Sequence, residues 1–437
     1  MMTSIEQRQH DLLVTVTAEL IDLRGRHRLN GTEPSRVEEE GAVREIARRF
    51  FDDLAAKAIL TGTETSTEEQ EASITKKVLD TVLGFGPLQA LLDDPEITDI
   101  HVRGTSPVWV KLKDGARREC DPVVSSDDEL IRLVRNVASR SRNGERRFDA
   151  AVAECNLCLE DGSRLFAVMD VSRHPSLVIR KHQFRLSSLD ELERGGMFSS
   201  EVRRFLRAAV LARRNIVVAG GTGSGKTTLL RALINEIPHH ERIVTIEDAF
   251  ELGIDRFSAL HPDHDALQSR AANAEGNGAI PLADLTRMAL RMDPDRVVVG
   301  EVRGAEAFPM LMAMSQGNNG SMCTLHADST RSVFSKLVAY VSMASTGLPV
   351  DVVNLLVANS VHIVIHIENV GGARRVTSIR EVVDSEGSRV SSNELFAAAV
   401  EGAAEPAFPM TGELRELLAK YGYEATSSLV STSGLRS

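Results

Sequence analysis

The apolar positions in the first part of the chain recur at the spacing of a helix. Over residues 43–59 they form one continuous stripe at intervals of three and four residues, which predicts an amphipathic helix. A second helix is predicted to begin at Thr67, because its hydroxyl and the side chain of Gln70 make a capping box. With an earlier helix over about 12–23, the pattern indicates a helical prefix over residues 1–84.

After this prefix the pattern changes to short apolar alternations, such as 108–112 and 165–171, which lie between turn signals. Alternation with a period of two predicts strands. We therefore expect an α+β domain over residues 85–186. The polar, glycine-containing segment that follows is interpreted as a linker over residues 187–198.

From residue 199 onward, helical patterns alternate with short runs that are largely apolar. These runs cover residues 215–219, 242–246 and 296–299. Such runs are typical of buried strands in a parallel sheet. The alternation predicts an α/β domain over residues 199–370. A C-terminal tail over residues 371–437 is expected to hold one helix, 413–421.

Composition and charge narrow the classes of function. The 437 residues include 51 basic and 62 acidic side chains, a net charge of −11, so the average surface does not attract nucleic acid or anionic lipid. Four cysteines are too few for a disulfide framework in a chain of this length, and they favour a reducing compartment. Cys155 and Cys158 have no second pair, so zinc binding is not expected. Because neither a signal peptide nor a membrane-spanning apolar run is visible, we expect a cytoplasmic protein.

One segment carries a phosphate-binding motif. Its sequence, GGTGSGKT, fits G-x-x-x-x-G-K-[ST] and lies between a predicted strand and a predicted helix, which is the context that the motif requires. Backbone N–H groups and the helix N-terminus suit a β-phosphate, Lys226 reaches the β- and γ-phosphates, and Thr227 ligates Mg²⁺. We predict a nucleoside triphosphate site with these binding residues: Gly220, Gly221, Thr222, Gly223, Ser224, Gly225, Lys226, Thr227 and Thr228.

Carboxylates follow the other two predicted strands. Glu247 comes directly after the run 242–246, and Glu301 follows the run 296–299. Because ligands of open α/β sheets bind at the carboxyl ends of the strands, both side chains are placed at the nucleotide site. We interpret Glu301 as the acid that orients metal-bound water, and Glu247 as the residue that positions or deprotonates the attacking water. Asp295, at the opposite end of its strand, is interpreted as a turn residue.

A third element is a small-residue turn, a short strand and then His326. A single histidine is weak evidence for chemistry. A functional role for His326 is indicated only together with the motifs around it.

Together these elements resemble the traffic ATPases that power type II secretion, type IV pilus and type IV secretion machines. Four signatures carry the resemblance: a Walker A loop at 220–227, an acidic Asp box at 245–252, a Walker B segment ending in 300–303, and a His box ending in 324–327. The similarity extends over about residues 75–390.

Within that family the chain is most similar to the CpaF branch, which is associated with tight-adherence pili. Arg270, Asn273, Glu275 and Gly276 stand where that branch has a nucleotide-proximal loop. The neighbouring run 261–265, His-Pro-Asp-His-Asp, is not typical of the branch.

The resemblance implies a RecA-like P-loop ATPase domain that follows a smaller α+β domain. It implies a homohexameric, Mg²⁺-dependent ATPase that works at the inner face of the cell membrane, where it moves a platform protein and drives pilus assembly or protein export. It also implies that His326 senses the γ-phosphate, and that Arg164, Arg180 or Arg303 reaches phosphate charge within or between subunits. Each arginine is equally open to interpretation as a salt-bridge residue.

Two other functions stay open. A DNA-handling motor would use the basic stretch 132–147, although aromatic residues for base stacking are scarce there, so no stable nucleic-acid partner is expected. A nucleotide-dependent scaffold would bind ATP without hydrolysing it, but the intact set of acidic residues argues against this interpretation.

Overall fold

The computed structural model describes residues 4–61, 65–139, 147–159, 162–181, 187–270, 272, 276–387, 389–399 and 402–424. The chain divides into two compact units, Met1–Gln183 and Phe184–Ser437. Among the described residues, no helix is both long enough and apolar enough to cross a membrane.

The first unit begins with three long helices and continues into an antiparallel sheet. The helices are α1 (Ser4–Leu29), α2 (Arg36–Thr61), α3 (Glu68–Val82), α4 (Gln89–Asp93) and α5 (Asp127–Ser139). The strands are β1 (Ile97–Arg103), β2 (Val108–Leu112), β3 (Arg117–Cys120), β4 (Glu154–Cys158), β5 (Arg164–Val168) and β6 (Ser176–Arg180). They form one sheet in the order β3-β2-β1-β6-β5-β4, in which all neighbours are antiparallel.

The predicted helices of the prefix are confirmed. Apolar side chains of α1, α2 and α3, such as Val16, Ile46 and Ile74, share one buried core. The predicted capping box is present, because Thr67 accepts from the backbone N–H of Gln70 while the Gln70 side chain accepts from the backbone N–H of Thr67. Since these helices bury one face each, the core forms from the same stripe that the sequence displays.

The second unit is built on a nine-stranded sheet. Its helices are α6 (Leu189–Arg194), α7 (Ser200–Leu211), α8 (Lys226–Ile234), α9 (Leu282–Ala289), α10 (Ala307–Ser315), α11 (Ser332–Met343), α12 (Val350–Ser360) and α13 (Gly412–Ala419). Its strands are β7 (Ile216–Gly220), β8 (Ile243–Glu247), β9 (His264–Gln268), β10 (Arg296–Val302), β11 (Met322–Leu325), β12 (Ile363–Val370), β13 (Ala373–Glu386), β14 (Arg389–Ala398) and β15 (Ala404–Pro406).

The strand order of this sheet is β15-β14-β13-β12-β7-β11-β10-β8-β9. From β12 to β9 all neighbours are parallel, and from β12 to β15 they are antiparallel. Alternate residues of β7 pack on opposite faces: Ile216 and Val218 lie in the core with α7, α8 and α13, and Val217 and Ala219 lie in the core with α9 to α12. The predicted α/β class is confirmed, because helices cover both faces of a largely parallel sheet.

Two segments are more ordered than the sequence indicated. Residues 187–198, expected as a linker, contain α6, and Leu189 is fully buried in the core of the second unit. The segment after residue 370, expected to hold one helix, also supplies β13, β14 and β15. Charged side chains such as Arg380 and Glu381 are buried on β13, which interrupts the apolar pattern that would have predicted a strand.

A buried amide organises the amino-terminal ends of the central strands. The Nδ2 of Asn215 donates to the carbonyl oxygens of Met314 at 2.9 Å and Ser360 at 2.6 Å, and its Oδ1 accepts from the backbone N–H of Gly320 at 2.8 Å. The backbone N–H of Asn215 in turn donates to Nδ1 of His362 at 2.9 Å. One residue therefore joins the ends of α10 and α12 to the start of β7.

Protonation of His362 is expected to destabilise the fold between about pH 6.5 and about pH 4. Burial, helped by the positive charge of Arg214, lowers the pKa of His362 to about 4. The unfolded chain, in which a histidine has a pKa of about 6.5, therefore binds a proton that the folded chain does not. The stability from neutral His362 is present above about pH 6.5 and is lost as the pH falls towards 4.

Calorimetry across this pH range tests the expectation. The Tm of the parent should fall with pH more steeply than the Tm of His362→Gln, whose side chain does not titrate. His240→Gln, a change at an exposed histidine, is the matched control and should follow the parent. Parallel curves for the parent and His362→Gln would show that His362 does not carry the effect.

Candidate functional site

The phosphate-binding motif forms the turn between β7 and α8, as its sequence context predicts. Lys226 is 7% exposed, and its Nζ donates to the carbonyl oxygens of Gly220 at 3.1 Å and Gly221 at 2.8 Å. Burial lowers the pKa of Lys226, while the carboxylate of Glu301 acts in the opposite direction. Among the described residues, the buried hydroxyl of Ser224 has no hydrogen-bond partner. The loop thus holds a buried cation and an unsatisfied donor beside a helix N-terminus, which suits a phosphate group.

Three predicted site residues meet at the carboxyl ends of β7, β11 and β10. The Nε2 of His326 lies 2.8 Å from Oε1 of Glu301, and both ring nitrogens of His326 lie 3.5 Å from Nζ of Lys226. These contacts support the assignment of His326 to the nucleotide site, which its sequence position alone did not.

Two further contacts hold this part of the site, and sequence reasoning missed both. The Nζ of Lys336 donates to the carbonyl oxygen of His326 at 2.6 Å. The hydroxyl of Thr324 donates to the carbonyl oxygen of Gly300 at 2.6 Å, so β11 is tied to β10 next to Glu301. Lys336 lies outside the sequence motifs, and Thr324 belongs to the His box 324–327, but that motif gave no indication of its contact with Gly300.

Glu247 lies at the end of β8 and is 3% exposed. Its Oε2 accepts from the backbone N–H groups of Glu251 and Leu252, both at 2.7 Å. Burial raises the pKa of Glu247 to about 7, although the two N–H groups act in the opposite direction. A pKa near the working pH suits a general base. The carboxylate also caps the turn after β8, a second role that the sequence did not reveal.

Gly300 lets Glu247 approach β10 closely. A Cβ at this position would lie 3.2 Å from Cγ of Glu247, which is tighter than ordinary packing allows. The glycine before Glu301 therefore makes room for the other acid of the site.

The three candidate arginines take different positions. The Nη2 of Arg303 pairs with Oδ2 of Asp248 at 2.7 Å in the second unit. Arg180 and Arg164 belong to the first unit, where they lie opposite each other on β6 and β5, and the Nε of Arg180 pairs with Oδ1 of Asp99 at 3.1 Å. Arg303 is thus near the acidic end of β8, and the other two arginines are placed side by side on a different sheet.

The nucleotide-proximal loop expected from the CpaF resemblance is described only in part. The Nε of Arg270 donates to the carbonyl oxygen of Gly278 at 2.8 Å, while Asn273 and Glu275 lie outside the described residues. The atypical run 261–265 leads into β9, where Arg242 pairs with Asp263 and Asp265. This run therefore secures the edge of the sheet.

Other predictions concern single residues. The Oδ2 of Asp295 accepts from the backbone N–H of Arg242 at 2.9 Å at the amino end of β10, in agreement with its interpretation as a turn residue. Cys155 is buried in the core of the first unit. Within the described ranges, no group of three or more His, Cys, Asp or Glu side chains is arranged to hold a metal ion.

Magnesium does not require such a group. It is usually held by one or two protein oxygens together with water and substrate phosphates. Thr227, in the first turn of α8, and Glu301, at the end of β10, offer oxygens of this kind, and the chemistry of this donor set fits Mg²⁺.

Comparison with known proteins gives consistent matches. A family model described as Type II/IV secretion system protein matches residues 83–370. A "Putative conjugal transfer protein" of Mycobacterium tuberculosis H37Rv is 33% identical over 321 residues, covering 71% of this chain and 88% of the relative. The type IV secretion system protein VirB11 of Brucella suis is 32% identical, covering 65% and 84%. The type IV secretion system protein PtlH of Bordetella pertussis is 33% identical, covering 67% and 93%.

Proposed function

The chain belongs to the type II/IV secretion system protein family, and we propose that it is an ATP-hydrolysing motor of a pilus or secretion system. The observation that carries this proposal is the meeting of Lys226, Glu301 and His326 at adjacent strand ends, with the buried acid Glu247 at the end of the next strand. Phosphoryl transfer needs a lysine that binds the phosphates, an acid that orients the metal-bound water and a second acid that activates the attacking water.

In the proposed reaction, Lys226 leaves the loop carbonyls and pairs with the β- and γ-phosphates of ATP. Glu247 accepts a proton from the attacking water, and His326 contacts the γ-phosphate side of the site. Thr227 and Glu301 would hold Mg²⁺, which when bound neutralises charge on the phosphates. Arg303 can pair with a phosphate of the nucleotide if its guanidinium leaves Asp248. Arg164 and Arg180, in the first unit, are further candidates for this role.

The assembly belongs to the same proposal. We assign the working form as a homohexamer of the CpaF branch that lies on the inner face of the cell membrane and acts on a platform protein. The names of VirB11 and PtlH as type IV secretion system proteins support a role in secretion. The partly described loop around Arg270 supports the CpaF assignment by sequence alone.

Phosphate release from ATP by the full chain, with and without Mg²⁺, tests the proposed activity. Glu301→Gln is expected to lower the rate by about 10- to 100-fold, because the amide no longer orients metal-bound water. Glu405→Gln, a change at an acid on the short edge strand β15, is the control. Hydrolysis by Glu301→Gln at the parent rate would refute the metal-acid assignment.

Light scattering of Glu301→Gln with Mg-ATP tests the assembly. Slow hydrolysis should hold the nucleotide-bound state, and a particle of about six chains would support a closed ring. A strict monomer would instead favour a scaffold, or a ring that forms only on the membrane platform.

A DNA-handling motor is the second candidate, favoured by the name of the mycobacterial relative. Of its basic stretch, Arg140, Arg142 and Arg146 lie outside the described residues. The Nε of Arg135 donates to the carbonyl oxygen of Phe148 at 2.6 Å, which leaves it less able to follow a phosphate backbone. ATP turnover that rises with added DNA, together with binding that weakens steeply with salt, would favour this candidate.

A further inference from the structure

The hairpin of β12 and β13 reaches past the end of the P-loop strand. β12 pairs in parallel with β7 up to the level of Gly220, and then continues to Val370. Gly371 and Gly372 join it to β13 with φ of +60° and +89°, which is the left-handed region used by two-residue hairpin turns. Because such turns match the twist of the strands, the two strands stay paired up to the tip of the hairpin, from Val370 to Ala373.

The first charged residue after this turn, Arg374, lies against the loop. A Cβ added to Gly225, the residue before α8, would lie 3.2 Å from Cδ of Arg374 and 3.5 Å from Cε of Met197. The backbone N–H of Val376 donates to the carbonyl oxygen of Met197 at 2.9 Å, so the strand is anchored next to this contact. The aliphatic part of Arg374 is therefore held at the N-terminus of α8.

The guanidinium of Arg374 has no partner among the described residues. The side chain is exposed, and within the described ranges it forms neither a hydrogen bond nor an ion pair. The neighbouring Arg375, in contrast, donates through Nη1 to the carbonyl oxygen of Gly196 at 3.1 Å. An unpaired guanidinium beside a helix N-terminus adds positive charge where an anion is already favoured.

The position of Arg374 indicates which part of the nucleotide it reaches. β11 and β12 flank β7 on opposite sides, and His326 follows β11 whereas Arg374 belongs to the hairpin that follows β12. If the γ-phosphate lies towards His326, the α-phosphate lies on the other side of the loop, towards the hairpin.

We propose that Arg374 is a nucleotide-binding residue that pairs with the α-phosphate of bound ATP or ADP. The assignment rests on the proposed function, since it takes the P-loop as the nucleotide site. It adds to Lys226 a second cation from a distant part of the chain. Because ATP and ADP share the α-phosphate, Arg374 contributes equally to the affinity for both nucleotides.

Calorimetric titration of the full chain with Mg-ATP and with Mg-ADP tests this assignment. Arg374→Met keeps the apolar stem and removes the charge, and it is expected to raise the Kd of both nucleotides by about tenfold. Arg374→Lys keeps a charge and should recover a substantial part of the loss. Arg389→Met, at an exposed arginine on β14 of the same sheet, should leave both Kd values within about twofold of the parent.

Three results would overturn the assignment: unchanged Kd values for Arg374→Met, a loss confined to ATP, or a lysine variant no better than the methionine variant. The last would indicate stacking on the base. A parent chain that binds both nucleotides without releasing phosphate refutes the proposed hydrolysis and leaves the Arg374 result standing. A parent that binds neither nucleotide refutes both.

Discussion

Replacing Lys226 by alanine is expected to lower ATP hydrolysis by about 10²- to 10³-fold and to weaken Mg-ATP binding. Its Nζ is a cation inside the loop, where it donates to the carbonyl oxygens of Gly220 and Gly221. In the proposed reaction the same charge moves to the β- and γ-phosphates. Its attraction to the phosphate oxygens becomes strongest in the transition state, where negative charge develops on them. Phosphate release and nucleotide titration measure the two effects separately.

The exposed Lys420→Ala is the control for loss of one positive charge. Lys226→Ala should keep the fold, because water can replace a lysine that bonds only to loop carbonyls and lies next to a histidine. An unchanged Tm with lost hydrolysis would place the effect in the site. A Lys226→Ala variant that hydrolyses ATP at the parent rate would contradict the role assigned to the loop.

The nucleotide site could be predicted from the sequence because its parts are local. The run 220–227 matches a motif whose turn is known, and the acids Glu247 and Glu301 follow largely apolar runs that are typical of buried strands. In a parallel sheet the carboxyl ends of strands share one edge, so their convergence with Lys226 follows from the pattern. The distances between them did not follow from it.

The parts that the sequence did not reveal depend on non-local pairing. The placement of β11 between β7 and β10, which brings His326 to Glu301, is a property of the sheet order and not of any one strand. The C-terminal strands were hidden because β13 buries charged residues whose partners come from later segments. Arg380 pairs with Glu394 at 2.9 Å, and Glu381 accepts from the backbone N–H of Thr411 at 2.9 Å. Such pairs satisfy buried charge, but they remove the apolar alternation.

Glu247→Gln is expected to lower hydrolysis by about 10²- to 10⁴-fold while the fold is kept. Glutamine has nearly the same shape, and its amide oxygen can accept from the backbone N–H groups of Glu251 and Leu252 as Oε2 does. What it cannot do is accept the proton of the attacking water. Parent activity should rise with pH through about 7, because burial raises the pKa of Glu247 to about 7 and only the deprotonated form is a base.

Glu247→Ala separates the two roles of this carboxylate. Alanine removes the base and also leaves two backbone N–H groups of the turn without their acceptor, each at a cost of about 1–3 kcal/mol if buried. Its Tm should therefore fall, whereas the Tm of Glu247→Gln should not. If the glutamine variant hydrolyses ATP at the parent rate with the parent's pH profile, Glu247 only caps the turn, and another group must activate the water.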